Sequence, residues 1–126
     1  MTDSIIVDLD NTLSFKKDSY SYQDAEPNYQ LIKKLREYKE DNFKIVIFTS
    51  RNMRTFKNDV QKIKENTLPL IKEWLKKHSV PFDEIIVGKP WCGENGFYID
   101  DRALRPEEFI HNDGKKIKSI LKIDNN

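Results

Sequence analysis

Four short apolar runs punctuate the chain, at residues 5–7, 43–48, 84–87 and 97–99. Each is rich in Ile, Val or Phe and is bounded by polar residues, the pattern of strands buried in a sheet. Between the first two runs, Leu31, Ile32, Leu35 and Tyr38 recur at helical spacing, with Lys33, Lys34, Glu37 and Lys39 forming the polar face. That spacing predicts an amphipathic helix. Between the second and third runs, Leu68, Ile71, Trp74 and Leu75 repeat the period, with Asn66 or Thr67 placed to cap and Pro69 tolerated in the first turn. Strands that alternate with helices predict an α/β fold around a mostly parallel sheet, because parallel neighbours need the crossovers that helices supply.

Two stretches depart from the alternation. Residues 14–27 are polar and aromatic, and Tyr20 and Tyr22 alternate with Ser19 and Ser21 as in a small hairpin flap. Residues 51–65 are basic and weakly periodic, which reads as a loop with one irregular helix. After Arg102 apolar residues are sparse, although Phe109, Ile117, Ile120, Leu121 and Ile123 suit a terminal helix or strand. No repeat, linker or low-complexity tract is present. At 126 residues, the length predicts one domain spanning residues 1–126.

Charge and composition narrow the function. Lysines and arginines number 22 and acids 21, a net +1, so no electrostatic footprint for nucleic acid stands out. The longest apolar runs fall far short of the roughly 20 residues that span a bilayer. The first residues carry no secretory pattern, and a cytoplasmic location is expected. The only cysteine, Cys92, has no partner for an internal disulfide and reads as structural or incidental.

The chemistry is concentrated where the strands end. In doubly wound sheets, ligands bind beyond the carboxyl ends of the strands. The first strand runs into Asp8-Leu9-Asp10-Asn11-Thr12, two carboxylates two residues apart. A hard cation such as Mg2+ takes oxygen ligands, and a carboxylate beside it can attack phosphorus while a second moves protons. An isolated Asp-x-Asp more often serves as an Asx turn or a helix cap, so the other strand ends decide. The second ends in Thr49-Ser50-Arg51, which offers hydroxyls and loop amides to phosphate oxygens. The third is followed by Gly88-Lys89-Pro90, with an ammonium to offset phosphoryl charge, and the fourth by Asp100-Asp101, two more hard ligands.

In these motifs and their order the chain resembles the haloacid-dehalogenase-like (HAD) superfamily of phosphohydrolases, over residues 5–109. The resemblance implies Asp8 as nucleophile and Asp10 as general acid/base, with Asn11 standing where glycine is frequent. It implies Thr49 and Lys89 as catalytic groups that also bind substrate phosphate together with Ser50 and Arg51. The Mg2+ cofactor would be held by Asp8, the Asp10 backbone carbonyl and Asp101, with Asp100 close by. The implied fold is a Rossmannoid three-layer sandwich with a small flap after the first strand, no large cap domain, and strands ordered third, second, first, fourth.

Phe48-Thr49-Ser50-Arg51-Asn52-Met53, Gly88-Lys89-Pro90-Trp91 and Tyr98-Ile99-Asp100-Asp101-Arg102 look like the small capsule-biosynthesis phosphatases of that superfamily. A sugar phosphate of capsule or surface polysaccharide synthesis is the implied substrate. Without a cap, an open site is expected, serving a bulky phosphoester or covered by another subunit of a homo-oligomer. No membrane partner is expected. The same chemistry serves a nucleotide or polynucleotide-end phosphatase, and a non-catalytic phosphate-binding regulatory module would retain the same fold. A phospho-accepting receiver domain is disfavoured by motif order, since there the adjacent acidic pair follows the first strand. His78 reads as a helix end and His111 as part of a polar segment. Trp91 suits packing and stacking on a substrate equally. Arg51, Arg54 and Lys57 read as a solvated loop face more readily than as a grip on a second anionic group, and Arg102 as a neighbour that orients the acidic pair.

Overall fold

The computed structural model describes residues 2–18 and 21–123, which group into two compact units, Met1–Trp91 and Cys92–Asn126. The first unit is built on a parallel sheet of three strands, β1 (Ser4–Val7), β4 (Lys44–Thr49) and β5 (Glu84–Val87), in the order β1-β4-β5. Ile5 pairs with Ile45 and Val7 with Ile47 on one side of β4, while Ile47 pairs with Ile85 and Thr49 with Val87 on the other. The central strand is accordingly buried along Ile45, Val46 and Ile47, whereas the outer strands expose Ile6 and Ile86. The order third, second, first agrees with the sequence-based expectation for those strands.

The short antiparallel pair β2 (Ser14–Phe15) and β3 (Glu26–Pro27) closes a flap after the first strand, with a 3-10 turn at Tyr22–Asp24. Of the alternating residues expected to form a hairpin, Ser19 and Tyr20 lie outside the described residues. Helix α1 (Tyr29–Glu40) starts where Asn28 Oδ1 accepts the Leu31 N–H at 3.2 Å, and it buries Leu31, Ile32 and Leu35. The basic stretch forms turns at residues 51–58 and then helix α2 (Val60–Asn66), capped by Asp59. Helix α3 (Leu68–Lys77) follows at once and buries Ile71, Trp74 and Leu75. Thr67 occupies its N-cap position, but the hydroxyl donates to Asn52 Oδ1 at 2.8 Å, so it ties the helix junction to the loop after β4 instead of capping.

The core of this unit combines Leu9, Leu13, Leu35, Ile45, Ile47, Ile63, Ile71, Trp74 and Leu75, all almost wholly enclosed. Each such side chain contributes roughly 1.5–3 kcal/mol relative to exposure. Trp74 also donates its indole N–H to the Ala25 carbonyl at 3.1 Å, anchoring the end of the flap on α3. His78 closes α3 as expected, its ring 4.6 Å from that of Trp74. Burial, assisted by Lys77, holds its imidazole below the usual histidine range.

The second unit contains α4 (Pro106–His111) and α5 (Gly114–Ile120). Glu108 reaches back to the Arg105 N–H at 2.8 Å, Asp113 accepts the Lys116 N–H at 2.8 Å, and Phe109 and Ile117 are buried. The terminal apolar residues thus form helix, not strand. The expected fourth strand at 97–99 is not formed: Phe97 is 77% and Ile99 92% exposed. The run is only three residues long, and it gives way at once to a turn in which Asp100 Oδ1 accepts the Arg102 N–H at 2.8 Å. Among the described residues the parallel sheet therefore has three strands. No helix among them is long and apolar enough to cross a membrane.

Candidate active site

The carboxyl ends of β1, β4 and β5 bring together four charged groups. Leu9 and Leu13 are buried, and Leu9 lies between Asp8 and Asp10, so the loop after β1 is pinned to the core. The Leu9 carbonyl accepts the N–H groups of Thr12, Leu13 and Ser14, and Asn11 adopts φ 63°, a conformation that asparagine tolerates better than most side chains. This tight turn presents Asp8, Asp10 and Thr12 together. Thr12 Oγ1 donates to Asp8 Oδ2 at 3.1 Å, while Lys89 Nζ approaches the other oxygen, Oδ1, at 3.7 Å. The two Asp8 oxygens are thereby made unequal.

Lys89 owes its place to the turn at Gly88, where φ is +89°, and to its own N–H, which donates to the Thr49 carbonyl at 3.1 Å. Thr49 is 1% exposed, and its hydroxyl oxygen accepts the Arg51 N–H at 3.0 Å. The hydroxyl proton remains for donation. Ser50 is half-buried, and its carbonyl accepts the Met53 N–H.

Arg51 is the most enclosed charge of the site, its side chain 2% exposed. Nη2 donates to Asp10 Oδ1 at 2.7 Å and Nε to Oδ2 at 3.2 Å, a two-pronged ion pair, while Ser14 Oγ lies 3.4 Å from Oδ1. The guanidinium carbon stands 4.1 Å from the ring centre of Tyr22 in the flap. A cleft opens beside this group, lined by Asp10, Asn11, Ser14, Lys16, Asp18 and Tyr22. Arg54 and Lys57 lie exposed on the turn that follows, as expected, and Trp91 is 46% exposed.

Asp8, Asp10, Thr49, Ser50, Arg51 and Lys89 are thus neighbours in the first unit. Asp100 and Asp101 belong to the second unit, where both are exposed. Among the described residues no three His, Cys, Asp or Glu side chains cluster as a metal site would. The donor chemistry nonetheless suits a hard cation. The formal charges of Asp8, Asp10, Arg51 and Lys89 cancel, so a cation beside them would help to balance an incoming phosphate monoester dianion. Asp8, 36% exposed at its side chain, offers carboxylate oxygen of the kind Mg2+ takes. Sequence reasoning did not single out Ser14 or assign Tyr22 a place here. Ser14 was within reach of a reading of the turn, but nothing local marks Tyr22 as a neighbour of Arg51.

The arrangement is that of a Rossmann-like α/β domain with its polar groups at the carboxyl edge of a parallel sheet. A crystal structure of a structural-genomics target from Vibrio cholerae is 50% identical, covers 96% of this chain and 98% of its own, and superposes with a TM-score of 0.92. The chain belongs to the same family as that Vibrio cholerae protein. A chain in the structure of a Pnkp1/Rnl/Hen1 complex is 17% identical with a TM-score of 0.50 over 87% of this chain and 34% of its own, a likeness of fold. No family model and no curated protein matches the chain.

Proposed function

We propose that this protein is a Mg2+-dependent phosphomonoester hydrolase of the HAD-like superfamily, acting in the cytoplasm through an aspartyl-phosphate on Asp8. Its substrate on this reading is a sugar phosphate of capsule or surface polysaccharide synthesis. The observation that carries the reading is the asymmetry of the Asp8 carboxylate: Thr12 holds Oδ2 and Lys89 faces Oδ1. A nucleophile needs one oxygen oriented and the other directed at the reacting atom, with a cation near the charge that develops. The small flap and the open carboxyl edge suit a bulky phosphoester or a lid supplied by a second copy of the chain.

The chemistry follows from these groups. Asp8 Oδ1 bonds to phosphorus as the bond to the leaving oxygen breaks, and Asp10 gives that oxygen a proton. Water then attacks the aspartyl-phosphate, Asp10 takes the proton back, and inorganic phosphate leaves with Asp8 restored. Lys89 and the Thr49 hydroxyl hold the phosphoryl oxygens meanwhile. Asp10 accepts two N–H bonds from the Arg51 guanidinium. Mg2+ would be held by Asp8 and the Asp10 backbone carbonyl, and would supply Lewis-acid neutralisation of phosphoryl charge.

Phosphate release measured across sugar phosphates, nucleotides and 3'-phosphorylated oligonucleotides, with Mg2+ and with excess chelator, tests the reading. Turnover of sugar phosphates that the chelator abolishes is expected. The fold likeness to a chain of the Pnkp1/Rnl/Hen1 complex makes the oligonucleotide arm the informative competitor, and turnover confined to it would replace the substrate class. Binding without turnover in every arm would point to a regulatory module.

A further inference from the structure

The geometry points to Arg51 and Tyr22 as positioning residues for Asp10, not as groups that grip substrate phosphate, an inference that rests on Asp10 being the proton relay proposed above. An arginine that binds phosphate must turn its N–H fork outward. Here the fork is turned inward: Nε and Nη2 meet the two oxygens of Asp10 at 3.2 and 2.7 Å, and the side chain is 2% exposed. Two parallel bonds from a planar guanidinium fix the plane of a carboxylate as well as its position, which a lysine's point charge does not. Tyr22 lies against the other face of the same group, 4.1 Å from ring centre to guanidinium carbon, and Ser14 Oγ braces Asp10 Oδ1 at 3.4 Å.

Ser14 and Tyr22 both belong to the flap that begins at β2 and is anchored through Ala25 on Trp74. The flap therefore acts through Asp10, by holding the relay where the leaving oxygen and then the attacking water must sit. Its seating governs proton transfer, while phosphate binding is left to Thr49, Lys89 and the loop amides.

The test is single-turnover and steady-state kinetics on an alkyl phosphate and on p-nitrophenyl phosphate, for wild type, R51A, R51K, Y22A, D10N and D10N/R51A, with folding checked by thermal melting. R51A is expected to lower kcat on the alkyl phosphate by about 10²-fold, the scale of a misplaced catalytic group. Formation of the intermediate from p-nitrophenyl phosphate, whose leaving group needs little protonation, should fall much less. KM and competitive inhibition by inorganic phosphate should hold, R51K should not restore the rate, and Y22A should show a smaller loss of the same kind. On the D10N background, R51A should cost nothing further.

The positioning role is overturned if R51A weakens phosphate inhibition in step with kcat, if R51K is fully active, or if R51A costs as much in D10N as in wild type. A D10N enzyme as fast as wild type on the alkyl phosphate overturns the relay itself, and the positioning role with it. That outcome is distinct from a slow D10N enzyme on which R51A is additive.

Discussion

Replacing Gly88 by alanine tests whether the turn that delivers Lys89 is as constrained as it looks. Gly88 follows β5 directly and holds φ at +89°, and a Cβ built there would lie 3.0 Å from Val60 Cγ2. An L-residue at positive φ costs about 1–2 kcal/mol. Val60 begins α2 and is 36% exposed, so it can yield by a side-chain adjustment costing about 0.5–1.5 kcal/mol. Against this, alanine restricts the unfolded chain and returns about 0.4–1 kcal/mol. The net loss is about 0.5–3 kcal/mol, which for a chain of this size lowers Tm by roughly 2–12 °C. Circular dichroism melts of wild type, G88A, V60A and V60A/G88A measure it: the double variant should regain the contact cost and keep the backbone cost. Lys89 sits next in the chain, so phosphate release by G88A well below its Tm should also fall. A G88A protein that melts with wild type would refute the reasoning, and so would complete rescue by V60A, since it would leave no backbone strain.

Asp8→Asn should form no phosphoenzyme on any substrate, whereas Asp10→Asn should slow turnover by about 10²- to 10⁴-fold and accumulate phosphate on Asp8, seen as a burst or a mass increase. Substantial turnover by Asp8→Asn would mean that water attacks directly. Trp74→Phe leaves the buried Ala25 carbonyl without its donor and should cost about 1–3 kcal/mol in denaturant unfolding, with faster proteolysis in the flap. At the opposite end of β4, Asp83 is hydrogen-bonded by Lys39 and by the Ile45 N–H, which holds its carboxyl below the usual range. A lowered folded-state pKa adds stability above the unfolded value, near 4, and that stability is lost as pH falls through the folded value. Asp83→Asn should therefore melt below wild type at pH 7, and the gap should close as the solution is acidified below about pH 4.

The strands and helices that were legible in the sequence are those whose burial imposes a period. Ile45 to Ile47 are enclosed on both faces and Leu31, Ile32 and Leu35 on one, so their chemistry repeats with their geometry. The run at Phe97 to Ile99 has the same composition but only three residues, and composition alone cannot say whether a strand partner is there to take its backbone bonds. Much of the candidate site was legible for a topological reason. Once β1, β4 and β5 are parallel neighbours, whatever follows each must converge at one edge, which brings Asp8, Thr49 and Lys89 together with no contact needing to be foreseen. The partner of Arg51 could not be found that way. Asp10 lies 41 residues earlier, and Tyr22 approaches from a flap whose path no periodicity fixes. A motif read along the chain assigns an arginine beside a phosphate-binding turn to phosphate, because adjacency is all it has. The fold turns the guanidinium inward, where an unpaired buried cation would be costly and the carboxylate it meets is Asp10. Burial thus accompanies the turn of the arginine toward the carboxylate beside it. That is why the partners of a buried charge stay hidden in the sequence, while groups that follow the parallel strands can be read from it.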